Sequence, residues 1–257
     1  GATAISGDMR DDASWRIAAA SAEAIIHAGQ LRFGRLGGRA HDALVQADRR
    51  ALDLLLAAAR PDLRVLVYTS GFLVYGACLD GPVSEARAVA PYPAVAYKRE
   101  HEQLALASGK PVVVVRPSTV YGTRGIFARY SLAPTLKGGP ARHPGDGNNA
   151  TSYVHTDDLA EAFRRCLEDP RPGEIFNVTD DQPTTPRSML SELARQAGAR
   201  PPRSLPAWLF KLAAGRLAPA LLAPTQITSD KIKAALGWSP QYPTIREGVA
   251  AVIAATR

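Results

Sequence analysis

Residues 64–71, RVLVYTSG, and residues 111–117, PVVVVRP, decide how this chain folds. Each is a short run in which β-branched and aromatic residues stand side by side instead of alternating with polar ones. A strand of that kind is covered on both faces, as in a parallel sheet whose crossover helices lie above and below it. The stretch between them fits this reading, because residues 93–107 carry a helical pattern with Pro93 suited to a first helical position. Working outward, AEAIIHAG (22–29) reads as a further strand and ATAISGD (2–8) as a strand with a turn. Between AEAIIHAG and RVLVYTSG, residues 41–59 place Leu44, Ala47, Ala51, Leu55 and Ala58 on one helical face. Downstream, SYVH (152–155) and GEIFNVTD (173–180) read as strands flanking the helix DDLAEAFRRCLED (157–169). Alternation of strand and helix predicts an α/β fold with a doubly wound parallel sheet.

The texture changes after Gly122. Turn-forming KGGPARHPGDGNN (137–149) appears, and Pro201, Pro202, Pro206, Pro219, Pro224, Pro240 and Pro243 punctuate three or four closing helices. The expected division is a sheet-forming part over residues 1–123, joined by some later elements, and a smaller lid over 124–257.

Composition narrows the function classes. With 257 residues, 46% of them hydrophobic, the chain can bury a sizeable core. Two cysteines, Cys78 and Cys166, make no disulfide framework and sit in no metal-ligand spacing, so no metal is expected and a reducing cytoplasm is the simplest compartment. The most apolar stretch, LPAWLFKLAAGRLAPALLAP (205–224), is interrupted by Lys211 and Arg216 and does not read as a membrane span. The formal charge of +7 comes from 31 cations against 24 anions, but only six cations are lysines and the arginines are scattered. A nucleic-acid partner is therefore not expected.

Several phrases, in order, resemble the extended short-chain dehydrogenase/reductase family, the NAD-dependent epimerases and dehydratases, and especially its atypical branch. They are GDMRDDASW, AIIHAG, VLVYTSGFLVYG, VVVVRPSTVYG, SYVHTDDLAEAF and LGWSPQYPTIREGV. The resemblance implies a Rossmann-like sheet, NAD or NADP as cofactor, a small-molecule substrate held between sheet and C-terminal lid, and a homodimer. It also implies a Gly-rich turn after the first strand. No such turn is found, since Gly34, Gly37 and Gly38 follow the strand that resembles the family's fourth. The first two strands are thus expected to be missing from this chain, leaving open sheet edges and weak dinucleotide binding.

The same resemblance assigns residues. Lys98 matches the lysine that binds the nicotinamide ribose and lowers the pKa of a tyrosine hydroxyl, and Glu102 matches an acid one turn later. The tyrosine position, four residues before Lys98, is Ala94, and the hydroxyl position after the fifth strand is Gly71. Two of three catalytic side chains are therefore replaced. Tyr92, just before the helix, is the substitute proton donor to consider, whereas Tyr97 lies about 100° around the helix from Lys98. Asp8 and Met9 match residues flanking the adenine, Ala28 and Gly29 the small residues beneath the cofactor, and Pro117 and Ser118 the nicotinamide pocket. Thr69 shares the favourable strand face but lies deeper. Gly71, Arg124 and Arg129 are the candidate substrate contacts. Thr151 stands where nucleotide-sugar members usually carry a phosphate-binding arginine, which favours a smaller carbonyl or alcohol substrate. His155 reads as structural. Two functions remain open: an NAD(P)-dependent oxidoreductase, epimerase or dehydratase, and a cofactor-binding sensor without turnover.

Overall fold

The computed structural model describes residues 2–11, 14–30 and 39–256. The elements run α1 (Arg16–Ser21), β1 (Ala24–His27), α2 (Arg39–Ala58), β2 (Val65–Thr69), α3 (Ala96–Leu106), β3 (Val112–Pro117), β4 (Thr119–Tyr121), α4 (Gly125–Phe127), α5 (Ala133–Leu136), β5 (Arg142–Pro144), β6 (Tyr153–His155), α6 (Thr156–Glu168), β7 (Ile175–Val178), α7 (Pro186–Ala197), β8 (Arg203–Leu205), α8 (Ala207–Ala214), α9 (Ala218–Leu222), α10 (Asp230–Leu236) and α11 (Ile245–Ala254). A 3₁₀ turn, Phe72–Tyr75, follows β2, and a π-helical turn, Ala128–Leu132, joins α4 to α5.

Four parallel strands form the main sheet in the order β1-β2-β3-β7. The two apolar runs that decided the fold are its middle strands, and β3 is buried along its whole length. Alternation sends their side chains into two cores. Val65, Val67, Val113 and Val115 pack with Leu159, Ala162 and Cys166 of α6 and with Ile232, Leu236 and Trp238. Leu66, Tyr68, Val112 and Val114 pack on the opposite side with Leu52, Leu55 and Ala105 of α2 and α3. Short parallel pairs β4-β6 and β5-β8 build the smaller layer. There Tyr121, Leu132, Met189, Leu193 and Val249 form a third core.

Several expectations are corrected. ATAISGD is not a strand: residues 2–7 are exposed and outside any element, and Asp8 makes only an isolated bridge with Asp11. An extended segment with no neighbouring strand gains no ladder hydrogen bonds, so its apolar content alone does not hold it. The helix expected to open at Pro93 begins at Ala96, with residues 93–95 forming a turn closed by Val95 N–H on the Tyr92 carbonyl. The end of the chain holds five α-helices, α7 to α11, in place of three or four. Helix α1 and the helical run from Gly125 to Leu136 were not expected at all. β1 has no strand partner on its outer side among the described residues, and Ile26 there is partly exposed. Gly34, Gly37 and Gly38 lie outside the described residues. No described helix is long and apolar enough to cross a membrane.

Candidate functional site

In a parallel sheet every strand delivers its C-terminal end to the same edge, which is where ligands of open α/β sheets bind. Here that edge collects His27, Thr69, Ser70, Pro117 and Ser118. The hydroxyls of Thr69, Ser70 and Ser118 and the Nε2 atom of His27 are buried with no hydrogen-bond partner among the described residues. Buried polar atoms are seldom left this way, and several gathered at one sheet edge mark a place for a polar ligand. Gly71 follows directly. A Cβ added there would meet nothing within 4 Å, so the strand end opens into free space.

Lys98 reaches this edge from α3 with its side chain only 12% exposed. Its Nζ lies 3.2 and 3.4 Å from the two carboxylate oxygens of Asp48, 3.3 Å from the Tyr68 hydroxyl and 3.2 Å from the Thr69 carbonyl. An ammonium has three hydrogens, so four protein acceptors already exceed its donors. Asp48 also accepts from the Tyr68 hydroxyl at 3.0 Å and from His101 Nδ1 at 2.7 Å, and His27 Nε2 stands 3.8 Å away. Burial raises the Asp48 carboxyl, but the His101 hydrogen bond and the Lys98 charge outweigh it and hold the group down to about 2. Burial draws the Lys98 pKa downward, with Asp48 opposing. The rings of Tyr68 and Tyr97 complete the enclosure, their centroids 5.1 and 5.5 Å from Nζ. Tyr97, one residue earlier in the helix, turns its hydroxyl away to accept from Gln30 Nε2 at 3.3 Å.

Asp48 was missed in the sequence, although a signal existed. It sits between Ala47 and Ala51 on the stripe that α2 buries, where an unpaired carboxylate would be costly. An acid at such a position requires a buried cation, and Lys98 is that cation.

The remaining assigned residues spread along the edge. Ala94 is buried beside Val95, Leu73, Tyr92 and Leu217, so Tyr92 lies next to the vacant tyrosine position without entering the helix. Met9 approaches Gly29: a Cβ on Gly29 would lie 3.2 Å from the Met9 sulfur. Ala28 and Gly29 are exposed just past β1. The Asp8 carboxylate is bound by Arg10, through the backbone N–H at 2.9 Å and the guanidinium, which lowers its pKa to about 2. Arg124 and Arg129 are exposed around α4, and Arg129 stacks over Tyr130. Thr151 is tied into backbone bridges with Thr184 and Thr225. Glu102 pairs with Arg116 deep in the protein, and Arg116 also donates to the Tyr75 hydroxyl at 2.8 Å. His155 caps α6, its Nδ1 accepting from Asp157 N–H at 3.2 Å, while Tyr121 and Tyr242 flank its ring.

The ordering of strands, the open edge and the lysine reaching it are all features a family can share. Residues 2–179 match the model of the NAD dependent epimerase/dehydratase family. The chain belongs to that family. Among curated relatives, a 3-diazoavenalumate denitrifying reductase from a Streptomyces sp is 34% identical over 152 residues, 58% of this chain and 50% of that protein. A UDP-glucose 4-epimerase from Mycolicibacterium smegmatis is 29% identical over 211 residues, 77% of this chain and 64% of that protein. The chain thus spans about half and under two thirds of these relatives. The crystal structure of the human epimerase family protein SDR39U1 (isoform2) with NADPH superposes with a TM-score of 0.82 at 18% identity, covering 93% of this chain and 85% of that one. At that identity the likeness is one of fold. It places the epimerase/dehydratase architecture on the sheet described above.

Proposed function

We propose that this chain forms much of an NAD(P)-linked oxidoreductase that reduces a small, unphosphorylated carbonyl or oxidises the corresponding alcohol. The observation that carries the reading is the sheet edge: buried hydroxyls at Thr69 and Ser118 lack a partner among the described residues, Lys98 reaches the end of the same strand at the Thr69 carbonyl, and Ala94 and Gly71 offer no proton. The residues at this edge fit a nicotinamide nucleotide, with Ser118 and Thr69 as hydrogen-bond partners and Gly29 and Met9 beneath it. The cofactor, when bound, supplies hydride chemistry. Lys98 contributes a fixed positive charge at the edge, and a ribose hydroxyl gains a hydrogen bond from it only by displacing Asp48, Tyr68 or the Thr69 carbonyl. Tyr92 is the hydroxyl closest in sequence to the vacant tyrosine position and serves as proton donor to a carbonyl oxygen. Thr151, held in backbone bridges, gives a substrate phosphate no charged partner, which supports the unphosphorylated class.

An acceptor that needs no proton suits a site without the two usual hydroxyls. Replacing a diazonium group with hydrogen is such a reaction, because nitrogen gas departs and no oxygen must be protonated. The resemblance to a 3-diazoavenalumate denitrifying reductase favours including that acceptor class. A second reading, a dinucleotide-binding sensor without turnover, is favoured by the same Ala94 and Gly71.

Calorimetry of the full-length protein with NADH and NADPH, followed by the absorbance of reduced nicotinamide over ketones, aldehydes and arenediazonium salts, separates these readings. Turnover of a carbonyl that falls about 100-fold in Tyr92→Phe supports the substitute donor. Diazonium turnover untouched by Tyr92→Phe supports the proton-free acceptor. Binding with no turnover on any acceptor establishes the sensor, and absence of binding overturns the cofactor site.

A further inference from the structure

Helix α8 has the sequence AWLFKLAA, and of its eight residues only Ala214 is buried. Trp208 is 69% exposed, Leu212 76% and Leu209 37%. A helix apolar on most sides is ordinarily enclosed by protein or lipid. This one is anchored through the segments at both of its ends. Before it, β8 pairs with β5, and Ser204 Oγ donates to the Gly145 carbonyl. After it, Leu217 packs against Ala94 and Val95. Leu221 on α9 extends the apolar exposure.

The segment that carries this helix is cationic. Residues 193–229 contain Arg195, Arg200, Arg203, Lys211 and Arg216 and no aspartate or glutamate, although Arg195 is paired with Glu192 just before them. Arg203 stands in register with Arg142 on the neighbouring strand, adding a sixth cation. Arg142, Arg203 and Lys211 are exposed and make no ion pair with a described residue, while Arg216 has only a distant one with Asp42 at 3.9 Å. A second copy of the chain is a poor occupant, because a two-fold contact centred on α8 would bring this cationic segment against itself.

We propose that α8 docks the protein on an anionic lipid surface. Trp208, Leu209 and Leu212 enter the boundary between headgroups and acyl chains, and Arg203, Lys211 and Arg216 meet the negative headgroups. The helix is far too short to span a bilayer, so the protein lies on the surface. This placement is independent of the reductase reading.

Co-sedimentation with vesicles of phosphatidylcholine alone, and of phosphatidylcholine with a third phosphatidylglycerol, tests it. The expected result is binding to the anionic vesicles at least tenfold tighter than to the neutral ones, lost in high salt. A blue shift of tryptophan emission should accompany binding and vanish in Trp208→Phe, since Trp238 is already buried and Trp15 is half-buried away from α8, its indole N–H donating to the Asp8 carbonyl. Leu212→Glu alters a side chain in solvent, so the fold is retained, and it should weaken binding at least tenfold. The proposal is overturned if neither vesicle binds, if Leu212→Glu binds as well as the parent, or if binding leaves Trp208 emission unchanged. It is equally overturned if sedimentation velocity shows a dimer that Leu212→Glu dissociates, for α8 would then join two copies.

Discussion

Asp48 and Lys98 exchange charge inside the protein, between α2 and α3, at the end of β2. Neither is stable there alone. Removing one partner of a buried pair leaves the other desolvated and uncompensated, at a cost of about 3–5 kcal/mol. Asp48→Asn is accordingly expected to lose stability of that order, measured by urea denaturation, and to expose Lys98 to amine-acylating reagents that spare it in the parent. The pair has a pH signature. The Asp48 carboxyl is held at about 2, below its unfolded value near 3.8, so its stabilisation is present above pH 4 and fades as pH falls toward 2. Asp180 behaves oppositely. It is buried with one carboxylate oxygen unpartnered, and burial, with the nearby Asp181 and Asp158 charges, pushes its pKa up to about 8. The folded state therefore holds a proton that the unfolded state releases near pH 4, and stability declines as pH rises from about 4 to 8. In denaturation across that range, Asp180→Asn should remove a slope of about 1.4 kcal/mol per pH unit and leave the variant more stable than the parent at pH 8. An unchanged slope would mean that Asp180 finds a partner the geometry does not provide.

Elements meet at contacts that tolerate one residue type. Gly248 on α11 faces Tyr121 of β4 so closely that a Cβ would lie 1.8 Å from the tyrosine oxygen, with the ring atoms behind it. Tyr121 cannot swing away, because Phe127, Tyr153 and His155 surround its ring. Gly248→Ala should raise local helix propensity and still destabilise the protein by about 1–3 kcal/mol, the usual cost of overpacking. Thermal unfolding checks the sign; a higher Tm would show that α11 slides at no cost. The first turn of α6 is pinned in a similar way. The Asp158 carboxylate does not cap its own helix. It accepts from Gln241 and Tyr242 N–H at 2.6 and 3.2 Å, so a loop more than eighty positions later is hung on it. The local cap at the start of this helix comes from His155 instead. Such a choice is decided by which backbone amides arrive from elsewhere.

The molecule closes on itself through its late elements. β7 completes the sheet beside β3, and Trp238 enters the same core as Val65, Val67, Val113 and Val115, its indole N–H donating to the Asp158 carbonyl at 3.1 Å. Residues on either side of position 123 therefore share one core. A single calorimetric transition is expected, and Trp238→Ala should lower its midpoint while costing about 3–5 kcal/mol. Two resolved transitions would mean that the lid unfolds apart from the sheet.

The amino-acid sequence alone determined the parallel α/β plan, because unbroken β-branched runs can only be strands covered on both sides, and the stripe on α2 can only face a core. The family resemblance carried by its motifs implied that Lys98 stands near the strand ends, and the sequence itself shows that Ala94 and Gly71 carry no acid. Tertiary structure decided the rest. ATAISGD has strand composition but no neighbour to pair with. The segment from Gly125 to Leu136 is helical because Leu132 and its neighbours find a core supplied by α7 and α11. Asp48, not a substrate, occupies the donors of Lys98. The apolar helix α8 is left exposed because no element among the described residues covers it. Periodicity records which face of an element is apolar, whereas the partner that meets that face is set by long-range packing.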